Sequence, residues 1–280
     1  MLNTILVPAF LVILAILFIR LLESKLVFFP SKYPDGYWQT GQFATVPEDV
    51  FFETDDGLTL HGWFFARQGA SATVLFLHGN AGNLSHRIDL ISQMLALLPV
   101  EVFIIDYRGY GKSEGTPTEQ GIYLDADAAY NYLTRERRRS PEQIILYGRS
   151  LGGAVAVDLA TRVPAAGLLL EATFSSGTDM AREMFKILPV WWFTTIKMTS
   201  DEKIRTVNMP ILVLHGTRDR VVPFRLGKKL FAAAPEPKTF VELPGADHHD
   251  TYVMSEDIFF RAIGEFIAQC VQNGTGRSQG

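Results

Sequence analysis

The sequence predicts an α/β fold in which helices flank a mostly parallel sheet of eight strands. Continuous apolar runs such as residues 73–77 and 144–147 alternate with helix-like stretches along most of the chain. Runs of this kind are typical of strands that are covered on both faces, and their alternation with helices indicates a parallel sheet. Two earlier runs joined by the turn at 55–57 predict an antiparallel hairpin at one edge.

The predicted elements follow from these changes of pattern along the chain. The strands are expected at residues 50–54, 58–65, 73–77, 102–105, 144–147, 167–170, 211–214 and 239–243. The helices are expected at residues 84–97, 119–139, 154–160, 224–234 and 256–270.

Composition excludes several classes of function. The 280 residues are 48% hydrophobic and 20% charged, which is ordinary for a globular protein. A net charge of −4 offers no basic surface for nucleic acid. The single cysteine, Cys270, permits no disulfide within the chain, and we interpret it as structural. With no cluster of histidines and cysteines, we expect neither a metal nor a cofactor.

The amino-terminal stretch is nearly all apolar from residue 2 to residue 22, and residues 5–19 carry no charge. This length just spans a bilayer if Arg20 reaches the head groups, so we predict a single-pass anchor in residues 1–24. A cleaved signal peptide and a buried core helix are the alternatives. The signal peptide is disfavoured because the first four residues lack a basic side chain and no Ala-x-Ala site follows.

We expect the protein to sit in the bacterial inner membrane. Arg20 and Lys25 lie on the carboxyl-terminal side of the apolar segment, with no basic counterpart before it, which favours a cytoplasmic domain, but only weakly because Glu23 lies between them. The aromatic lead-in at 25–47 suits either the membrane interface or packing against the domain.

The main domain is predicted at residues 48–272, followed by a disordered tail at 273–280. Within it, residues 172–208 are longer than one crossover helix needs, and they are rich in apolar side chains. We interpret them as a small cap over the strand ends, the alternative being an ordinary helix with a long loop. The expected substrate-binding side chains of this cap are Met184, Trp191, Trp192 and Phe193.

A candidate nucleophile lies between the strand at 144–147 and the helix at 154–160. Gly148, Ser150 and Gly152 form a G-x-S-x-G pattern there, which is typical of a sharp turn that exposes the serine hydroxyl. The glycines let the strand and the helix nearly touch, and the helix amino terminus favours negative charge near the serine. A simple turn at a helix start is the alternative.

Two later strand ends supply the partners that a serine nucleophile requires. Asp219 follows the strand at 211–214, and His248 follows the strand at 239–243. The order serine, acid, histidine is the one expected with this type of turn. We therefore predict a triad of Ser150, Asp219 and His248, with His249 as the rival base and a helix-capping role as the alternative for Asp219.

Acyl transfer also needs donors for an oxyanion. The N–H of Leu151, directly after the serine, is one candidate. The glycine-rich loop at 78–83 follows the third strand, and we assign the second N–H to Asn80. A glycine turn without a catalytic role is the alternative for this loop.

Three stretches together resemble one α/β-hydrolase subfamily: residues 78–83, 106–115 and 148–153. The subfamily comprises membrane-anchored serine hydrolases related to the prolyl-oligopeptidase clan, and it includes the animal abhydrolase-domain depalmitoylases. The resemblance covers roughly residues 45–270. It implies esterase-type chemistry, with Ser150, Asp219 and His248 as triad and Asn80 and Leu151 as oxyanion donors. One departure is Asp247, where relatives commonly have glycine.

From these features we expect a membrane-tethered serine hydrolase that cleaves acyl esters or thioesters. A serine peptidase and a non-catalytic scaffold on the same fold are the alternatives, and the sequence does not set the substrate.

Overall fold

The computed structural model describes residues 23–42, 45–186 and 189–277. Its centre is one eight-stranded sheet with the strand order β1-β2-β4-β3-β5-β6-β7-β8. The strands are β1 (Glu48–Glu53), β2 (Thr59–Phe65), β3 (Ala72–Leu77), β4 (Val100–Asp106), β5 (Ile144–Arg149), β6 (Gly167–Glu171), β7 (Ile211–Gly216) and β8 (Lys238–Leu243).

The sheet is mostly parallel, as predicted. Strand β2 pairs antiparallel with both β1 and β4, and the pairs formed by β3 to β8 are all parallel. The carboxyl ends of the parallel strands therefore meet at one edge, which is where ligands bind in sheets of this type.

Helices cover both faces of the sheet. They are α1 (Ile88–Leu97), α2 (Glu119–Asn131), α3 (Leu151–Ala160), α4 (Gly177–Met184), α5 (Ser200–Lys203), α6 (Phe224–Ala233), α7 (Thr251–Met254) and α8 (Glu256–Arg277). On β5, Ile144 and Leu146 belong to the core beneath α2, α3 and α6, whereas Ile145 and Tyr147 belong to the core beneath α1 and α8. Successive strand residues face opposite sides, so a strand buried on both must be continuously apolar.

Several helix boundaries differ from the prediction. The first helix begins as a 3-10 turn, Leu84–Arg87, before α1, and α2 continues into a π-helical turn, Tyr132–Glu136. Helix α8 runs to Arg277, so residues 273–277 are helical where we expected a disordered tail.

The amino-terminal lead-in packs against the domain through its backbone and through side chains, since Phe28 is buried in the core and Trp38 meets Trp63 edge-on. Residues 23–27 are helical, and Phe29–Pro30 pairs in parallel with Ala81–Gly82. The side chains of Tyr33 and Tyr37 remain 55% and 61% exposed. The predicted anchor at 2–22 lies outside the described residues, and no helix within them is long and apolar enough to cross a bilayer.

Candidate active site

Ser150 is the single residue between β5, which ends at Arg149, and α3, which begins at Leu151. Its backbone has φ 53° and ψ −119°, a rare conformation for a non-glycine residue that costs about 1–3 kcal/mol. Two hydrogen bonds hold it: the Ser150 N–H donates to the carbonyl of Glu171 at 2.9 Å, and the Thr173 hydroxyl donates to the carbonyl of Ser150 at 2.7 Å. The turn therefore places the hydroxyl at the carboxyl edge of the sheet.

The glycines on either side of this turn are required by close backbone contacts. A Cβ atom on Gly148 would lie 2.3 Å from the carbonyl oxygen of Gly152. A Cβ atom on Gly152 would lie 1.9 Å from the carbonyl oxygen of Leu77, at the end of β3. Strand and helix thus touch through their backbones, as the G-x-S-x-G pattern indicates.

The three residues of the predicted triad come together at this edge. The His248 Nε2 atom lies 3.1 Å from Ser150 Oγ, and His248 Nδ1 lies 2.8 Å from Asp219 Oδ2. Because a carboxylate only accepts hydrogen bonds, Nδ1 carries the ring proton, which leaves the Nε2 lone pair facing the hydroxyl. All three side chains are buried, so the contacts are shielded from water.

The backbone around Asp219 fixes its carboxylate. The N–H groups of Val221 and Val222 donate to Asp219 Oδ1 at 2.9 and 2.7 Å, which leaves Oδ2 free for His248. Behind it, the His215 Nε2–H donates to the Val222 carbonyl at 2.9 Å, and burial lowers the pKa of His215. His215 therefore shapes the turn that carries the acid.

The rival residues beside His248 have other contacts. Asp247 forms a salt bridge with Arg220, and N–H groups of Arg220 and His248 together with the guanidinium hold the pKa of Asp247 well below its usual range. Its negative charge is thus paired with Arg220 across the two loops. The exposed His249 ring meets His248 edge-on, with ring centroids 5.1 Å apart.

Asn80 and Leu151 border the same cavity as Ser150. Leu151 is the first residue of α3, so its N–H has no acceptor within the helix. The Asn80 side-chain amide donates to the carbonyl of Val27 at 3.0 Å, and the Asn80 carbonyl accepts the Tyr110 hydroxyl at 2.8 Å. The side chain and the carbonyl of Asn80 are thus both hydrogen-bonded, and the role of its backbone N–H as an oxyanion donor stays a prediction.

A buried ion pair that the sequence did not reveal supports the histidine loop. The Arg149 guanidinium donates to the carbonyl of His248 at 2.9 Å and lies 3.1 Å from Glu171. The hydroxyls of Tyr147 and Thr251 also donate to the Glu171 carboxylate. Arg149, the last residue of β5, thus links the backbone of His248 to the strand that directly precedes Ser150.

Replacing Arg149 by alanine is expected to lower both stability and kcat. Removing one partner of a buried pair leaves Glu171 uncompensated, which costs about 3–5 kcal/mol. We expect kcat to fall about tenfold because His248 loses its backbone support. Thermal unfolding and steady-state kinetics measure both effects. Arg162, whose ion pairs with Asp127 and Asp158 are partly exposed, provides the control, and equal effects of the two alanine variants would contradict this role.

A cavity of about 450 Å³ opens beside Ser150. Its walls are mainly apolar and come partly from the predicted cap, and they include Phe174, Met180, Met184, Ile196 and Met198. Of the four cap side chains predicted to bind substrate, Met184 lies in the wall. The described lining residues do not include Trp191, Trp192 and Phe193, and a contact of these three with substrate stays a prediction. The Trp192 side chain is 71% exposed.

No cluster of three or more histidine, cysteine, aspartate or glutamate side chains is arranged to hold a metal ion in the part of the chain that is described. A serine hydroxyl within hydrogen-bonding distance of an imidazole can act as a nucleophile, because the imidazole can accept its proton.

Comparisons with known proteins agree with this architecture. A family model described as "Serine aminopeptidase, S33" matches residues 68–202. A Mycobacterium tuberculosis protein, Rv2307c, is 37% identical over 91% of this chain and 90% of its own length. The α/β hydrolase domain-containing protein WAV2 of Arabidopsis thaliana is 34% identical over 88% of this chain and 87% of its own length.

Solved structures show the same fold at lower identity. The esterase Pf2001 of Pyrococcus furiosus superposes with a TM-score of 0.68 and 22% identity, covering 87% of this chain and 98% of that chain. At this identity the likeness establishes the fold alone.

Proposed function

The chain belongs to the α/β-hydrolase family, and we propose that it is a serine hydrolase that cleaves carboxylic ester or thioester bonds. The observation that carries this proposal is His248, which bridges Ser150 at 3.1 Å and Asp219 at 2.8 Å, with Ser150 itself in the wall of an apolar cavity. A non-catalytic scaffold has no need of this aligned arrangement.

In the first half of the reaction, Ser150 Oγ attacks the acyl carbonyl carbon while its proton passes to His248 Nε2. Asp219 stabilises the imidazolium that forms. The N–H groups of Asn80 and Leu151 hold the oxyanion, and one such donor is worth about 10²–10³ in kcat. When the tetrahedral intermediate collapses, His248 returns the proton to the leaving oxygen or sulfur, and an acyl-enzyme remains.

In the second half, water takes the place of the leaving group. His248 removes a proton from the water, whose oxygen attacks the acyl carbon on Ser150. Collapse of this intermediate breaks the bond to Ser150 Oγ, which takes its proton back from His248, and the carboxylic acid leaves. The residues that act in both halves are the same, so no further group is required.

The cavity supports a lipid-like acyl group as substrate. Its volume of about 450 Å³ falls within the range of pockets that enclose small ligands, and its walls are mainly apolar. An acyl chain gains free energy there by leaving water, at about 0.8 kcal/mol for each buried CH₂ group.

We further propose that residues 2–22 anchor the protein in a membrane and that the cavity opens toward it. Glu23, which directly follows this apolar segment in the sequence, lines the cavity. The cavity residues Leu26, Phe29, Met184 and Val221 are 46–61% exposed and form an apolar rim. Alkaline extraction of membranes should leave the full chain in the pellet, and its release into the supernatant would contradict the anchor.

A panel of p-nitrophenyl esters, acyl-CoA, lysophospholipid and S-acyl peptide tests the proposed substrate class. We expect kcat/KM to rise with acyl length, and we expect Ser150→Ala to lose the activity. Cleavage of only short, soluble esters would contradict the lipid-like substrate. Folded protein that cleaves none of these compounds would favour a scaffold.

The description of the matching family model raises aminopeptidase activity as a second candidate. An aminopeptidase needs a free carboxylate for the substrate's terminal ammonium. Among the described lining residues the only acid is Glu23, and its oxygens already accept hydrogen bonds from the cap. If the protein cleaved aminoacyl p-nitroanilides in the same panel but no esters, aminopeptidase activity would be favoured over ester hydrolysis.

A further inference from the structure

Glu23 is a buried carboxylate in the cavity wall that the proposed chemistry does not use. Four donors from the cap meet its two oxygens. The N–H groups of Thr195 and Ile196 donate at 2.7 and 2.9 Å, and the hydroxyls of Thr194 and Thr195 donate as well. Two carboxylate oxygens offer about four acceptor sites, so Glu23 is saturated and has none left for a substrate.

The same stretch of cap continues onto a second carboxylate. The N–H groups of Lys197 and Met198 both donate to Glu119 at 2.8 Å, and Glu119 begins α2 of the main domain. Among the described residues no strand pairs with this stretch, so the two carboxylates accept the hydrogen bonds of its consecutive N–H groups, as a neighbouring strand would. Glu119 belongs to the main domain, whereas Glu23 belongs to the segment that directly follows residues 1–22 in the sequence.

The amino-terminal segment also contacts Asn80, which lines the same cavity. The carbonyl of Val27 accepts the side-chain amide of Asn80 at 3.0 Å, and the Phe29 N–H donates to the carbonyl of Asn80 at 3.1 Å. Residues 23–29 therefore span the cavity from the cap to the loop that holds the second oxyanion donor.

We propose that Glu23 is a positioning residue that latches the cap to the amino-terminal segment and thereby shapes the acyl-binding wall. Ile196 and Met198, which the latched stretch carries, line the cavity, so their position depends on this contact. Its consequence for substrate choice rests on the proposed function, whereas the latch itself does not.

Amide hydrogen exchange of the full chain in detergent micelles tests the latch without any substrate. In Glu23→Gln, an amide NH₂ faces donors that need an acceptor, so protection of the Thr195 and Ile196 amides should fall about tenfold or more. In the matched variant Glu119→Gln, the larger loss should occur at Lys197 and Met198. The latch is refuted if Thr195 and Ile196 keep their protection in Glu23→Gln while the protein stays folded.

Kinetics test the effect on the acyl wall. We expect Glu23→Gln to raise KM for a long-chain ester about tenfold and to lower the ratio of long-chain to short-chain kcat/KM. The control is Glu101→Gln, since Glu101 is a buried carboxylate bound to Thr73 and Arg139 at the far end of β4. An unchanged ratio in Glu23→Gln, or an equal change in Glu101→Gln, would overturn the positioning role. If the wild type cleaves no long-chain ester, the proposed substrate class is contradicted. Hydrogen exchange at Thr195 and Ile196 still tests whether Glu23 holds the cap, because it needs no substrate.

Discussion

Replacing His248 by alanine is expected to lower kcat for ester hydrolysis by about 10⁴–10⁶-fold. His248 is the only described side chain that contacts both Ser150 Oγ and the Asp219 carboxylate, so its loss leaves the hydroxyl without a proton acceptor. Residues of a triad act as a unit, and removing the serine or the histidine alone costs nearly as much as removing all three members.

The matched control for this variant is His249→Ala. That imidazole is exposed and meets His248 only edge-on, so we expect kcat to stay within about threefold of the wild type. Steady-state kinetics on one p-nitrophenyl ester compare both variants. A large loss in His249→Ala together with a small loss in His248→Ala would exchange the roles of the two histidines.

Replacing Gly152 by alanine is expected to lower the free energy of unfolding by more than about 4 kcal/mol, or to prevent folding. The added Cβ atom would lie 1.9 Å from the carbonyl oxygen of Leu77. That oxygen belongs to a central strand, so relief of the clash requires moving β3 or α3 and with it the nucleophile. Yield of soluble protein and urea unfolding measure the loss.

Gly264→Ala in α8 is the control, because its Cβ atom would lie 3.3 Å from the end of the flexible Leu98 side chain. Alanine is favoured over glycine within a helix by about 1 kcal/mol, so this variant should be as stable as the wild type or slightly more stable. If Gly152→Ala unfolds at the same urea concentration as Gly264→Ala, the close contact between Gly152 and the Leu77 carbonyl oxygen is contradicted.

The fold and the meeting of the triad were accessible from sequence because both follow from parallel-strand geometry. Ser150, Asp219 and His248 each follow a strand of the parallel part of the sheet, and the carboxyl ends of parallel strands share one edge. The G-x-S-x-G pattern marked the turn, and the order of the three residues along the chain indicated their pairing.

The cap was less accessible, because an apolar composition does not say which side chains face inward. Trp191 and Trp192 end a short 3-10 turn, Val190–Trp192, and Phe193 follows it, so the stretch is too short for a periodic pattern to assign a face. The contacts of Glu23 with the cap span 171–173 positions of sequence, and Arg149 contacts His248 across 99. A lone carboxylate after an apolar segment gives no signal of so distant a partner.

The most direct measurement of the central claim is the site at which a fluorophosphonate modifies the full-length protein. Peptide mass spectrometry of the labelled wild type should find the adduct on Ser150 Oγ, with no labelling of Ser150→Ala and much slower labelling of His248→Ala. Folded wild-type protein that remains unlabelled, or that carries the adduct on another residue, would contradict the proposal that Ser150 is a histidine-activated nucleophile.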